Sequence, residues 1–142
     1  MTGYFFKLAK GIISLQLHSQ KTVALSSTEA EYMALSDCSH QAIWMKSVFA
    51  ELGMPLGSVP IIGDNQGSIF ISSNPVQERR SKHIDICYHY VRESIEEKKI
   101  DIYFIDGSHN PADLFTTSKN LGETKFMQFR RQLGLEFYLP LA

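Results

Sequence analysis

Two largely apolar stretches near the start of the chain, Gly3 to Leu8 and Ile12 to Leu17, are rich in aromatic and β-branched residues and flank the turn-like Ala9-Lys10-Gly11. Aromatic and β-branched residues favour strands, and a short glycine-containing break favours a reversal. The pattern therefore predicts an antiparallel hairpin. The pattern then changes. Ala30, Met33, Ala34, Cys38, Ala42, Met45, Val48 and Leu52 recur at helical spacing behind Ser26 and Glu29, which have capping-box form. They predict an amphipathic helix from Thr28 to Leu52. Gly53 stops it, Pro55, Gly57 and Pro60 fill a connection, and the short apolar run Val59 to Gly63 suits a buried strand.

Farther along, Asn65 to about Ser73 reads as a short helix and Asn74 to Lys82 as a polar loop. Ile84 to Lys98 reads as a helix with Ile84, Cys87, Tyr88, Val91 and Ile95 on one side, and Ile100 to Ile105 alternates like a strand. Gly107-Ser108-His109-Asn110-Pro111 breaks the chain before a helical stretch that starts at Ala112. Leu121 to Leu133 forms the last helix, with Phe126, Phe129 and Leu133 together, and residues 136–142 are an apolar tail. The order β-β-α-β-α-α-β-α-α, with no internal repeat, low-complexity run or linker, predicts one mixed α/β (α+β) domain over residues 1–142.

Composition narrows the class without naming a function. At 142 residues, 44% hydrophobic and 20% charged, the chain has enough apolar material for a sizeable core. A net charge of −1 neither argues for nor excludes nucleic acid, although Arg79, Arg80 and Lys82 form one basic cluster and Lys125, Arg130 and Arg131 another. Cys38 and Cys87 fall inside predicted helices without paired spacing, as expected of core thiols in a reducing compartment. The apolar stretch Tyr4 to Leu17 is broken by Lys7 and Lys10, falls short of the roughly 20 residues of a membrane span, and carries no cleavage site. No membrane partner and no targeting signal are expected.

Three carboxylates carry the candidate chemistry: Glu31 in Ser26-Ser27-Thr28-Glu29-Ala30-Glu31-Tyr32, Asp64 in Gly63-Asp64-Asn65-Gln66, and Asp113 in Asn110-Pro111-Ala112-Asp113-Leu114. Each stands at a predicted element end beside small or amide residues. Asp64 occupies the switch from a strand into the following segment, where open sheets present ligand-binding groups. Carboxylate oxygens suit a hard cation such as magnesium. Two such charges roughly 4 Å apart repel by about 4 kcal/mol at an effective dielectric near 20, and a bound cation relieves that repulsion. Each acid also has a purely structural role open to it. Glu31 and Asp113 in first helical turns are favoured by the helix dipole, and Asp64 is a natural N-cap.

Competing chemistries are weaker. His83 and His89 lie six residues apart instead of the three or four of helical zinc ligands, and neither cysteine is placed to help. They read as helix-end polar groups, and His109 as a titratable loop residue. Tyr4, Phe5, Phe6 and Trp44 resemble base-stacking aromatics, but their spacing fits core packing better. No phosphate-cradling glycine loop, nucleophile elbow or supported Cys/His pair is present in the sequence.

Val23-Ala24-Leu25-Ser26-Ser27-Thr28-Glu29-Ala30-Glu31-Tyr32-Met33-Ala34-Leu35, Asp64-Asn65-Gln66, Lys82-His83-Ile84-Asp85-Ile86 with Tyr88-His89, and Ala112-Asp113-Leu114 resemble, in this order, the ribonuclease H domain of copia-type LTR-retrotransposon polyproteins. The resemblance runs from about residue 3 to residue 135. It implies a ribonuclease H-like sheet with flanking helices that hydrolyses the RNA strand of RNA–DNA hybrids by a two-metal mechanism. Mg²⁺ would be the cofactor, with Mn²⁺ as a substitute, and Glu31, Asp64 and Asp113 would be the catalytic and metal-holding acids. Implied partners are the hybrid, held through phosphates and 2′-hydroxyls, and the reverse transcriptase portion of the polyprotein. The implied location is a cytoplasmic retroelement particle or the nucleus.

The sequence departs from that family at two places. The family has a first, central strand bearing a further metal-ligating Asp before the hairpin, whereas this chain starts Met1-Thr2-Gly3-Tyr4. Phe115-Thr116-Thr117 stands where the family has Leu-Thr-Lys, with one positive charge fewer. The first departure predicts a gap between the hairpin and the Val59 strand, and a truncated copy with weak or no nuclease activity. Two functions are therefore expected in competition: an impaired ribonuclease H, and a non-catalytic remnant that binds nucleic acid or associates with reverse transcriptase. An integrase-like reading fits less well, because those enzymes order their acids Asp, Asp, Glu.

Overall fold

The structure, a computed structural model, describes residues 2–20, 24, 26–66, 82–116 and 122–134. Strands β1 (Thr2–Leu8) and β2 (Gly11–His18) form the expected hairpin. Phe6 pairs with Ser14 but Lys7 with Ile12, so Ile13 is the extra residue of a bulge beside the turn. Ala9 takes a left-handed φ of 55° there.

Helix α1 (Ser27–Glu51) begins as the capping pattern dictates, with the Ser26 hydroxyl accepting from the Glu29 N–H at 3.1 Å. It ends at Leu52 and at Gly53, whose φ of 76° suits glycine. The buried face differs somewhat from the expected one. Tyr32, Leu35, Ser36, Cys38, Ser39, Ala42 and Met45 are buried, whereas Leu52 is exposed. Small Ser36, Ser39 and Ala42 let neighbouring elements approach closely, and Ser39 satisfies its own hydroxyl by donating to the Leu35 carbonyl at 2.7 Å.

Strand β3 (Val59–Gly63) pairs in parallel with β4 (Ile100–Phe104). Between them in sequence, helix α2 (Lys82–Glu96) packs on α1, with the Tyr32 and Tyr88 rings 5.9 Å apart and His40 stacked on Tyr90 at 3.8 Å. The helix stops two residues before the expected Lys98, which turns the chain with a φ of 53° and donates to the Ile95 carbonyl. A 3₁₀ turn (Gly107–His109), a short helix α3 (Asp113–Thr116) and helix α4 (Glu123–Gln132) complete the described elements. The expected helix Asn65–Ser73 and the loop after it lie almost wholly outside the described residues, as does the tail.

One apolar core joins Tyr4 and Phe6 of β1, Tyr32 to Met45 of α1, Ile61 of β3, Tyr88 and Val91 of α2, and Ile100 of β4. The mixed α/β class is as expected. The described strands do not merge into one sheet, however: β1–β2 and β3–β4 are two separate two-stranded sheets. Helix α1 packs on both and holds them in one molecule. Leu15, Leu17, Ile62 and Tyr103 on these strands are each about half-exposed. Trp44, expected in the core with Tyr4, Phe5 and Phe6, is instead 60% exposed on α1. Its position falls outside the buried set of that helix, so helical spacing alone misplaced it.

Candidate functional site

The three candidate acids ride on different layers of the fold. Asp64 follows the last residue of β3, half-buried, at the C-terminal edge of the parallel pair. The ladder continues one step beyond the strands, because the Ile105 N–H donates to the Gly63 carbonyl at 2.9 Å. That bond brings the loop after β4 beside Asp64. A Cβ on Gly107 would stand 3.1 Å from Asp64 Oδ2, so the bare glycine lets the loop backbone close on the carboxylate.

The same loop is organised by Asp106. Its carboxylate accepts from the Ser108 N–H at 2.9 Å and from the Ser108 hydroxyl. Those hydrogen bonds hold the Asp106 carboxyl below its ordinary range, with nearby His109 and Lys125 adding to the effect. His109 is exposed, with Nδ1 3.0 Å from the Ser108 hydroxyl and 3.9 Å from Asp106. Sequence reading took Gly107-Ser108 as a chain break and passed over Asp106. The Asp-Gly-Ser run directly after a strand was the available signal.

Glu31 is exposed in the early part of α1, next to Tyr32, which is buried. Asp113 opens α3, which is set up by the Asn-Pro turn before it: the Asn110 side-chain oxygen accepts from the Ala112 N–H at 3.1 Å. Helix α3 packs against β1 through Phe115, whose ring lies 6.2 Å from that of Phe5. The Asp113 side chain is outside the described residues. Among the described residues no three His, Cys, Asp or Glu side chains gather to hold a metal ion, so the expected meeting of all three acids lies beyond what is described.

By chemistry the set suits a hard divalent cation, since its donors are all carboxylate oxygens on separate elements. Cys38 and Cys87 are free thiols, and burial, with the charge of Asp37 added, pushes the Cys38 thiol up to about 12. A thiol so held is protonated and inert at neutral pH. His83 has no described side chain, and His89 is exposed beside Tyr88. Among the described residues no helix is long and apolar enough to cross a membrane.

The molecule is thus a mixed α/β domain with an acid at the end of a parallel strand pair and two more acids on the helices around it. Its homologues are retrovirus-related Pol polyproteins of plant transposons. The chain is 37% identical over 94% of its length to the Retrovirus-related Pol polyprotein from transposon TNT 1-94 of Nicotiana tabacum. It is 34% and 35% identical, again over 94% of its length, to those from transposons RE2 and RE1 of Arabidopsis thaliana. It spans only about a tenth of each relative, 10% of the first and 9% of the other two. No protein-family model matches the chain. No solved structure matches it either.

Proposed function

We propose that this retroelement-derived domain is a ribonuclease H-type phosphodiester hydrolase acting on the RNA strand of RNA–DNA hybrids. The observation that carries the reading is Asp64, set at the C-terminal edge of the parallel pair with the Gly107 backbone against it. Alignment of 94% of the chain with transposon Pol polyproteins supports it. Glu31, Asp64 and Asp113 would hold magnesium, with manganese as a substitute. When bound, the metal supplies Lewis-acid stabilisation of the phosphodiester and lowers the pKa of water for attack.

The chain's own contributions follow from its elements. Asp64 and the loop Asp106-Gly107-Ser108 form one wall, which the Ser108 hydrogen bonds keep ordered and negatively charged. Glu31 comes from α1 and Asp113 from α3, so the site requires α1 to hold the two sheets together. A non-catalytic remnant that keeps the fold and binds hybrid or reverse transcriptase is the second reading. The separation of the hairpin from the parallel pair favours it, because relative motion of the two sheets would loosen the acids.

Metal titration and cleavage decide between the readings. Binding to the native state stabilises it by about 3 kcal/mol at one hundred times the dissociation constant. The hydrolase reading therefore expects millimolar Mg²⁺ or Mn²⁺ to raise the thermal midpoint and to permit cleavage of a labelled hybrid. Asp64→Asn should abolish both effects. A midpoint indifferent to either metal, with hybrid bound but uncut, selects the remnant.

A further inference from the structure

Helix α4 joins the neighbourhood of the candidate site to the tip of the hairpin. Near its start, Lys125 lies close enough to Asp106 to help lower that carboxyl, and Asp106 adjoins Gly107, which abuts Asp64. At its other end, the Lys7 ammonium donates to the Gln132 carbonyl, and Gly134 is packed so tightly on the Lys10 carbonyl that a Cβ would stand 2.3 Å away. Exposed Lys7, Lys10 and Arg131 are therefore carried by two segments that touch at one corner. The ion pairs among the described residues involve none of these three cations, nor Lys125.

Helix capping explains part of this arrangement. A cation at a helix C-terminus satisfies an orphan carbonyl and complements the dipole. Lys7 does that alone. Lys10 and Arg131 add two exposed positive charges to the same corner of a chain whose net charge is −1. Among the described residues no acid pairs with these cations, and the polyanion that such a corner suits is a nucleic-acid backbone.

We propose that Lys7, Lys10 and Arg131, gathered where α4 meets the hairpin turn, grip the phosphate backbone of the hybrid on which the domain acts. The inference rests on the reading of the chain as a hybrid-binding domain and adds to it a surface other than the acids. The ten residues of α4 span about 15 Å at 1.5 Å per residue. Contacts of this kind hold register and carry no sequence preference.

Fluorescence anisotropy with a labelled RNA–DNA hybrid, in EDTA across a KCl series, tests the surface without calling on any metal. The Lys10→Glu/Arg131→Glu pair leaves the Lys7 cap in place. It should weaken binding about tenfold or more and flatten the slope of log affinity against log salt by about two. The Lys98→Glu/Lys99→Glu pair, which makes the same change of net charge at the turn between α2 and β4, should leave both nearly unchanged. Thermal midpoints of both variants report whether each still folds, and Lys10→Gln/Arg131→Gln repeats the test with milder changes. Equal weakening by the two pairs, an unchanged slope in the first pair, or no binding by the parent chain at 50 mM KCl would overturn the proposal. If the surface binds as expected but neither Mg²⁺ stabilisation nor cleavage is found, the hydrolase reading fails and the phosphate grip stands.

Discussion

The two small sheets are built in opposite ways. The β1–β2 hairpin closes through its own turn, and its outer strand leaves Ile13, Leu15 and Leu17 about half-exposed. The β3–β4 pair is parallel, so its partners come from distant parts of the chain, and it buries Ile61 and Ile100 against the helices. A hairpin needs little beyond local sequence, whereas a parallel pair needs a crossover and a cover on its face. The candidate site draws on both: Asp64 from the parallel pair, Asp113 from a helix seated on the hairpin, and Glu31 from the helix that touches each. A site assembled this way is no more rigid than the packing of α1 on the two sheets.

Truncating the parallel pair should have the largest effect. Ile100 is fully buried, and Ile100→Ala is expected to destabilise the domain by about 2–5 kcal/mol. Leu15→Ala on the hairpin's half-exposed face should cost well under half of that. Urea unfolding of both variants measures the contrast, and equal losses would mean that the hairpin is as deeply packed as the parallel pair.

A smaller effect is expected where the hairpin is tied to α4. Gly134 has a φ of 73° and no room for a Cβ beside the Lys10 carbonyl, so Gly134→Ala should cost about 1–3 kcal/mol. Hydrogen exchange should then quicken in β1 and β2 before it does in β3 and β4. Loss of protection in both sheets together would show that they unfold as one unit.

The smallest effect is alkaline. Burial raises Tyr4 of the hairpin and Cys38 of α1 to about 12 each, so the folded chain keeps protons that the unfolded chain releases from about pH 9 upward. Stability should therefore fall as pH rises from 9 toward 12 and be unaffected by these groups below that window. The Cys38 share is about 1.5 kcal/mol by pH 10. Comparing urea midpoints at pH 8 and 10 in the parent chain and in Cys38→Ala isolates that share. An equal drop in both proteins would remove the thiol from the account.

Local chemistry was enough to read most elements. The capping serine at 26, the stop at Gly53, the hairpin around Ala9-Lys10-Gly11 and the strand ending at Gly63 all depend on neighbours within a few residues. The acids Glu31, Asp64 and Asp113 could be singled out for the same reason, since each stands beside a local signal. Long-range packing settled the rest. Which stripe of α1 is buried, why Trp44 is not, why Gly107 has to be bare, and why the strands stand as two pairs are answers that reside in contacts between distant segments. Periodicity reports that a face is apolar, but the direction of that face and the neighbour it meets are set by mutual burial of surfaces that no single stretch of sequence contains.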